Sequence, residues 1–345
     1  MAIGSINRRS AWRLLLALVL SGCASKVAGP GSVGSPSGTQ SAAISASPSA
    51  NVAATRSLDA SFAPTSIDPA GTCTADRHLC TSMAVAVWSP VPFTPPVRCS
   101  YAGRMCPLVA KVFAPTASGP WPLIVLVGAS GPPDEPNSYV DPLAEQLAGH
   151  GFVVFRAIYR QGLANGASYP GTFADIACAV GVARRTGPKY GASSGPLTLI
   201  GHSFAGWVTS VIALTPMAIT PVDGLCNETV GSLRPDRWAG LAGAYTLDDG
   251  HAEWLGGDRD QVPATWAAVD PFVLAPSVPA AQRIPINLIV GAADADWAAA
   301  SRTLDAAMHT VGWSDQLIVI PNTDHDGILS STATLDALTE LARGR

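Results

Sequence analysis

Two patterns of apolar positions alternate along most of this chain. Unbroken runs such as Pro122-Leu123-Ile124-Val125-Leu126-Val127, Phe152-Val153-Val154-Phe155 and Leu197-Thr198-Leu199-Ile200 suit strands covered on both faces. Residues 83–88, 108–113, 241–245, 284–290 and 316–320 complete the expected strands. Between the runs, apolar residues recur with helical spacing over 141–150, 172–185, the segment after residue 203, 297–311 and 329–342. Gly151 stands where the first of these helices should stop. Strand and helix in regular alternation predict an α/β fold: a mostly parallel, doubly wound sheet of about eight strands with helices on both faces.

This patterning is absent from the amino end. Arg8, Arg9 and Arg13 precede an apolar stretch over 14–20, and Leu20-Ser21-Gly22-Cys23 follows where an export signal would be cut. The apolar stretch is too short for a permanent membrane span. Residues 24–70 are rich in Gly, Ser, Ala, Thr and Pro and hold too few large apolar side chains to offset their ordering entropy. The expected organisation is a leader over 1–22, a flexible tether over 23–70 and one domain over 71–345, long enough for a continuous core.

Composition narrows the partners. A formal net charge of −4 offers no basic surface for nucleic acid. Six cysteines besides Cys23, namely Cys73, Cys80, Cys99, Cys106, Cys178 and Cys226, form an even set that in an exported chain reads as disulfides. They lack the paired spacing of a zinc site, so metal binding is not expected. Nothing in the sequence fixes the oligomeric state, and a monomer is the default.

The chemistry concentrates at Gly201-His202-Ser203-Phe204-Ala205-Gly206. A buried strand ends there and a helix begins, so Ser203 is expected in a tight turn with its Oγ at the carboxyl end of the sheet. Such a turn needs small residues on both sides, here Gly201 and Ala205. A serine hydroxyl needs a base, and that base needs a carboxylate to orient it. Among six histidines, His325 alone lies in a loop after the last strand, where it would reach Ser203, whereas His202 should point away from Oγ. The loop after residue 290 offers Asp294 and Asp296. Asp294 is the expected acid and Asp296, just before Trp297, the expected helix cap. The order Ser, Asp, His matches one known triad arrangement. For an oxyanion, the amide of Phe204 at the helix start is one expected donor and that of Ala129, after the 122–127 strand, the other.

These pieces resemble an α/β-hydrolase over nearly all of 71–345, nearest the esterase, lipase and dienelactone-hydrolase-like group. The match rests on 122–131, on 151–160 with its Tyr159-Arg160 pair, on the 201–206 elbow, on 291–297 and on His325. Val127-Gly128 replaces the common His-Gly of the oxyanion loop. The tetrapeptide at 20–23 likewise resembles a bacterial lipobox, which implies a lipid on Cys23 and a protein held outside the cytoplasm at the membrane. The resemblance implies hydrolysis of a small-molecule or lipid carboxylic ester, or a related acyl bond, through an acyl-serine, without metal or organic cofactor. An amidase or peptidase with the same triad is the alternative within enzymes, and a cell-envelope binding protein with a dead site the alternative outside them. It also implies neighbouring helices around the elbow strand and hence a Cys178–Cys226 disulfide. The other four cysteines would pair within 73–106, with Cys73–Cys80 and Cys99–Cys106 one arrangement of three. Residues 215–238 and 248–282 are expected to roof the site, with Trp238, Trp254 and Trp266 as lining or packing residues.

Overall fold

The computed structural model describes residues 62–73, 79–98, 104–129, 138–160, 168–215 and 232–345. Cys23, Cys99 and Cys226, together with the leader and lipobox readings, lie outside the described residues. In chain order the elements are β1 (Ser66–Asp68), β2 (Val85–Arg98), β3 (Met105–Pro115), β4 (Trp121–Val127), α1 (Asp141–Gly149), β5 (Val153–Ala157), α2 (Gly171–Thr186), β6 (Ala192–His202), α3 (Phe204–Leu214) and β7 (Arg237–Leu241). Then follow α4 (Ala252–Leu255), α5 (Pro263–Val269), α6 (Pro271–Ser277), β8 (Ile286–Gly291), α7 (Ala295–Thr310), β9 (Gln316–Ile320) and α8 (Thr332–Arg343). The strands form one sheet in the order β1-β2-β3-β5-β4-β6-β7-β8-β9. β1, β2, β3 and β5 pair antiparallel, and every pair from β5 to β9 is parallel.

The continuous apolar runs have a plain cause. In β4, Leu123, Val125 and Val127 join the core under α2 and α3, while Ile124 and Leu126 join the core under α1 and α8. Both faces are covered, so no polar alternation is possible. Parallel pairing then puts the ends of β4, β6, β7, β8 and β9 along one edge. Val127 is level with Gly201, His202 with Leu241, and Gly291 with Ile320.

Two boundaries differ from the sequence reading. β1 lies within the stretch assigned to the tether, and Phe62 packs its ring 5.0 Å from Tyr190 and 6.0 Å from Trp88, so the folded unit begins before residue 71. The seventh strand is Arg237–Leu241 rather than 241–245. The small residues after Leu241 are not strand: Gly243 leaves room for the Tyr245 ring, which folds back over Gly240. The expected Cys73–Cys80 disulfide is present, and Cys106 and Cys178 are also disulfide-bonded. Trp238 and Trp266 are buried packing residues, with indole N–H groups donating to Thr209 and to the Gly257 carbonyl.

Close approach at the elbow makes a sharp prediction. A Cβ on Gly201 would run into the Thr209 hydroxyl and the Ala205 carbonyl, both rigidly placed. Gly201→Ala should therefore lose about 1–3 kcal/mol in urea unfolding through overpacking. Gly195→Ala, at an exposed position of the same strand with only Ser193 Oγ nearby at 3.4 Å, should stay within about 0.5 kcal/mol of the parent.

Candidate active site

β6 runs straight into α3 with one residue between them. That residue, Ser203, has φ 58° and ψ −125°, a conformation that costs an L-residue strain energy. Three backbone bonds hold it there. Ser203 N–H donates to the Leu241 carbonyl at 2.9 Å, and its own carbonyl accepts from Gly206 N–H at 2.8 Å and Ala244 N–H at 3.3 Å. Although Ser203 occupies the cap position of α3, its hydroxyl makes no capping hydrogen bond. Phe204 is the first helical residue, so its amide has no acceptor within the helix and stands at the positive end of the dipole.

Gly291 ends β8 against the carbonyl of Thr323, too close for any Cβ. Ala292 N–H bonds to Ile320 O at 2.8 Å and Ala293 N–H to Thr323 O at 2.9 Å, so the loops after β8 and β9 are laced together. That lacing brings the next side chains into contact: His325 Nδ1 donates to Asp294 Oδ2 at 2.6 Å, with Asp294 largely buried and His325 partly open. The Trp297 ring lies 5.2 Å from the His325 ring. Asp296 is not the cap expected of it. α7 starts at Ala295, which puts Asp294 at the cap position and Asp296 inside the first turn, where it complements the dipole.

His202 and Tyr139 contribute what the sequence reading missed. Tyr139 Oη accepts from Ala129 N–H at 2.6 Å and pairs with His202 Nδ1 at 2.7 Å, and His202 Nε2 lies 3.0 Å from the His325 carbonyl. A carbonyl only accepts, so Nε2 carries the proton and Nδ1 accepts from the tyrosine hydroxyl. The chain of contacts runs from the loop after β4, through Tyr139 just before α1 and His202 at the end of β6, to the backbone of His325. Tyr139 is held because Asp141, two residues on, is paired with Arg156 at 2.7 Å and Lys111 at 3.0 Å. Burial pushes the His202 pKa down to about 4, with the His325 carbonyl bond opposing it. Burial likewise raises Tyr139. The Ala129 amide, expected as an oxyanion donor, is committed to the Tyr139 hydroxyl in this structure. On the other side of that loop, Tyr159 Oη donates to Gly128 O at 3.3 Å and Arg160 clamps buried Asp175 through Nε and Nη2 at 2.9 Å each. Of the three tryptophans named above, Trp254 packs against Phe204, with ring centroids 4.8 Å apart.

His202, His325 and Asp326 each present a ligand atom within 4.8 Å of the others, but both nitrogens of His202 are already engaged. A metal there would have to break the chain just described.

The His202 environment generates a pH prediction. The unfolded imidazole titrates near 6.5 and the native one at about 4, so between these values the unfolded chain binds a proton that the native chain refuses. Stability contributed by neutral His202 is thus fully present above pH 6.5 and falls as the pH is lowered towards 4. In His202→Asn that part of the slope should vanish when urea midpoints are followed against pH, and an unchanged slope would assign it elsewhere.

No protein-family model and no curated sequence matches the chain. Solved structures do. A truncated carbohydrate esterase from gut microbiota superposes with a TM-score of 0.58 at 17% identity, covering 75% of this chain and 95% of its own. Esterase B from Lactobacillus rhamnosis gives 0.56 at 15%, covering 68% and 79%. The propionate-bound esterase Est2 of Thermogutta terrifontis gives 0.55 at 18%, covering 73% and 94%. With its parallel sheet, its strained strand-to-helix serine turn and these neighbours, the chain has the α/β-hydrolase fold.

Proposed function

We propose that this protein is a serine hydrolase of carboxylic esters, with Ser203 as nucleophile, His325 as base and Asp294 as the orienting acid. The observation that carries the proposal is the 2.6 Å bond from His325 Nδ1 to Asp294, on the same sheet edge as the strained Ser203. With Nδ1–H held by the carboxylate, the lone pair is on Nε2, the nitrogen that must take the serine proton. Attack by Oγ on the ester carbonyl would pass that proton to His325, which returns it to the departing alcohol. Water then attacks the acyl-serine by the same route, and no metal or organic cofactor is needed. The Phe204 amide faces the developing oxyanion at the helix start, where a positive dipole end favours negative charge. Support for an ester, rather than an amide, comes from neighbours that are themselves named as esterases. The proposal extends to the amino end: Cys23 as a lipidated anchor holds the hydrolase outside the cytoplasm at a bacterial membrane.

A fluorophosphonate probe and a series of p-nitrophenyl esters of increasing chain length test the reading. Ser203 should label, and Ser203→Ala and His325→Ala should each lose on the order of 10³ or more in turnover while keeping the parent fold. Asp294→Asn should lose roughly 10²–10⁴ because the imidazole adopts the wrong tautomer. Hydrolysis of anilides in place of esters would favour the amidase alternative, and a folded protein that neither labels nor hydrolyses would favour the binding protein. For the anchor, Cys23→Ala should move activity from the membrane fraction to the soluble one with turnover on a soluble ester unchanged. Activity that stays with the membrane would refute it.

A further inference from the structure

Away from the candidate active site, the carboxyl end of α7 and the turn before β9 gather three side chains. Asp305 and His309 are one helical turn apart on the same face, and Asp315 meets them from the other side of the Gly312 turn. A ligand atom from each lies within 4.8 Å of the other two. His309 Nδ1 is 3.8 Å from Asp305 Oδ1, and its Nε2 is 3.3 Å from Asp315 Oδ1. Asp315 is the telling residue. Its side chain is fully enclosed with His309 Nε2 as its nearest cationic partner, and among the described residues no donor from another residue is aligned on either of its carboxylate oxygens or on the buried Asp305 Oδ1 beside it.

Two neighbouring carboxylates repel, and an enclosed carboxylate is costly unless something compensates its charge. His309 does so incompletely, because half of its ring is exposed and it makes no aligned hydrogen bond to Asp315. We propose that Asp305, His309 and Asp315 bind one divalent transition-metal ion of the zinc class, with water completing its coordination. One imidazole and two carboxylates form a mixed nitrogen and oxygen set that suits zinc, whereas calcium takes six to eight oxygens. The carboxyl end of α7 adds the negative end of its dipole. The turn is rigid as well: Arg283 Nη1 donates to Gly312 O at 2.7 Å and its guanidinium packs 5.5 Å from the Trp313 ring, while the Trp313 indole donates to Ala275 O at 3.0 Å. The exposed edge of His309 provides the way in. An ion here would tie α7 to β9, the two elements whose loops carry Asp294 and His325, and its binding does not depend on what those residues do.

The test is zinc chloride titrated into the chelator-treated full chain by calorimetry, with thermal melts alongside. The parent should take up one zinc per chain through this site and melt higher with it. Asp315→Asn should weaken that uptake by at least about tenfold and show no zinc-induced shift, yet melt above the parent without metal, because a neutral amide no longer repels Asp305. If Asp315→Asn does not fold by circular dichroism, Asp305→Asn at the more open rim decides in its place with the same expected loss of binding. His325→Ala should keep the binding. No saturable uptake by the parent overturns the proposal. Binding that survives the aspartate substitutions but is lost in His325→Ala would place the zinc at the His202, His325 and Asp326 group and overturns it equally. An equal response to calcium chloride overturns the zinc-class assignment.

Discussion

The constraint on which the rest depends is the backbone of Ser203. A residue at φ 58° and ψ −125° between a strand and a helix is stable only if its neighbours leave the chain no alternative. β7 supplies a carbonyl acceptor from Leu241, the turn after it supplies an amide donor from Ala244, and Gly206 closes the turn from the helix side. Each of these contacts needs backbones closer than side chains allow. Gly201 sits against Ala205 and Thr209, and Gly206 lies 2.6 Å, measured from where its Cβ would be, from the Gly243 Cα. The elbow is therefore a property of β6, α3 and the turn after β7 together.

The same economy of space governs the acid and base loops. Gly291 permits the chain after β8 to lie against Thr323, and two further amide bonds fix the loops in register before any side chain is placed. His325 is then located from both ends: its ring by Asp294, its carbonyl by His202. Because His202 is the residue before Ser203, a shift in the elbow is felt at once by the His325 backbone. Tyr139 carries that connection on to the loop after β4. Both buried partners are kept uncharged, since burial lowers the His202 pKa and raises that of Tyr139. A neutral, fully paired chain transmits position without leaving an isolated charge in the interior.

The fold was legible because both faces of the sheet are covered, which leaves unbroken apolar runs such as 122–127 whose meaning is unambiguous. Ser203 and the loop position of His325 were legible for a related reason: each follows the end of such a run. Where small residues replace branched ones, the pattern loses its phase. The run from Trp238 to Tyr245 is apolar throughout, and only the packing of Tyr245 over Gly240 and Gly243 shows that its first half is the strand. Tyr139 was illegible, since no local pattern marks a side chain whose partners lie 10 and 63 residues away. His202 was seen to face away from Ser203, but not what it faces. The cluster of Asp305, His309 and Asp315 escaped because a helix end and the next strand meet only through a turn whose shape depends on Gly312 at φ 81° and on Arg283.

Asp294 shows how the proposed chemistry and stability compete for one side chain. By backbone position it is the cap of α7, and Asp is among the best residues for that role. Its carboxylate nevertheless makes no capping bond and turns to His325 instead. A helix without its cap forgoes about 0.5–2 kcal/mol, a sizeable share of the net stability of a domain. Asp296 in the first turn recovers part of this through the dipole, at about 0.3–1 kcal/mol, but cannot replace a directed hydrogen bond. A residue kept for stability alone would cap the helix, and a purely structural ion pair would not need the one position where capping is lost. The arrangement is the one expected where orienting the His325 ring matters more than the last increment of helix stability.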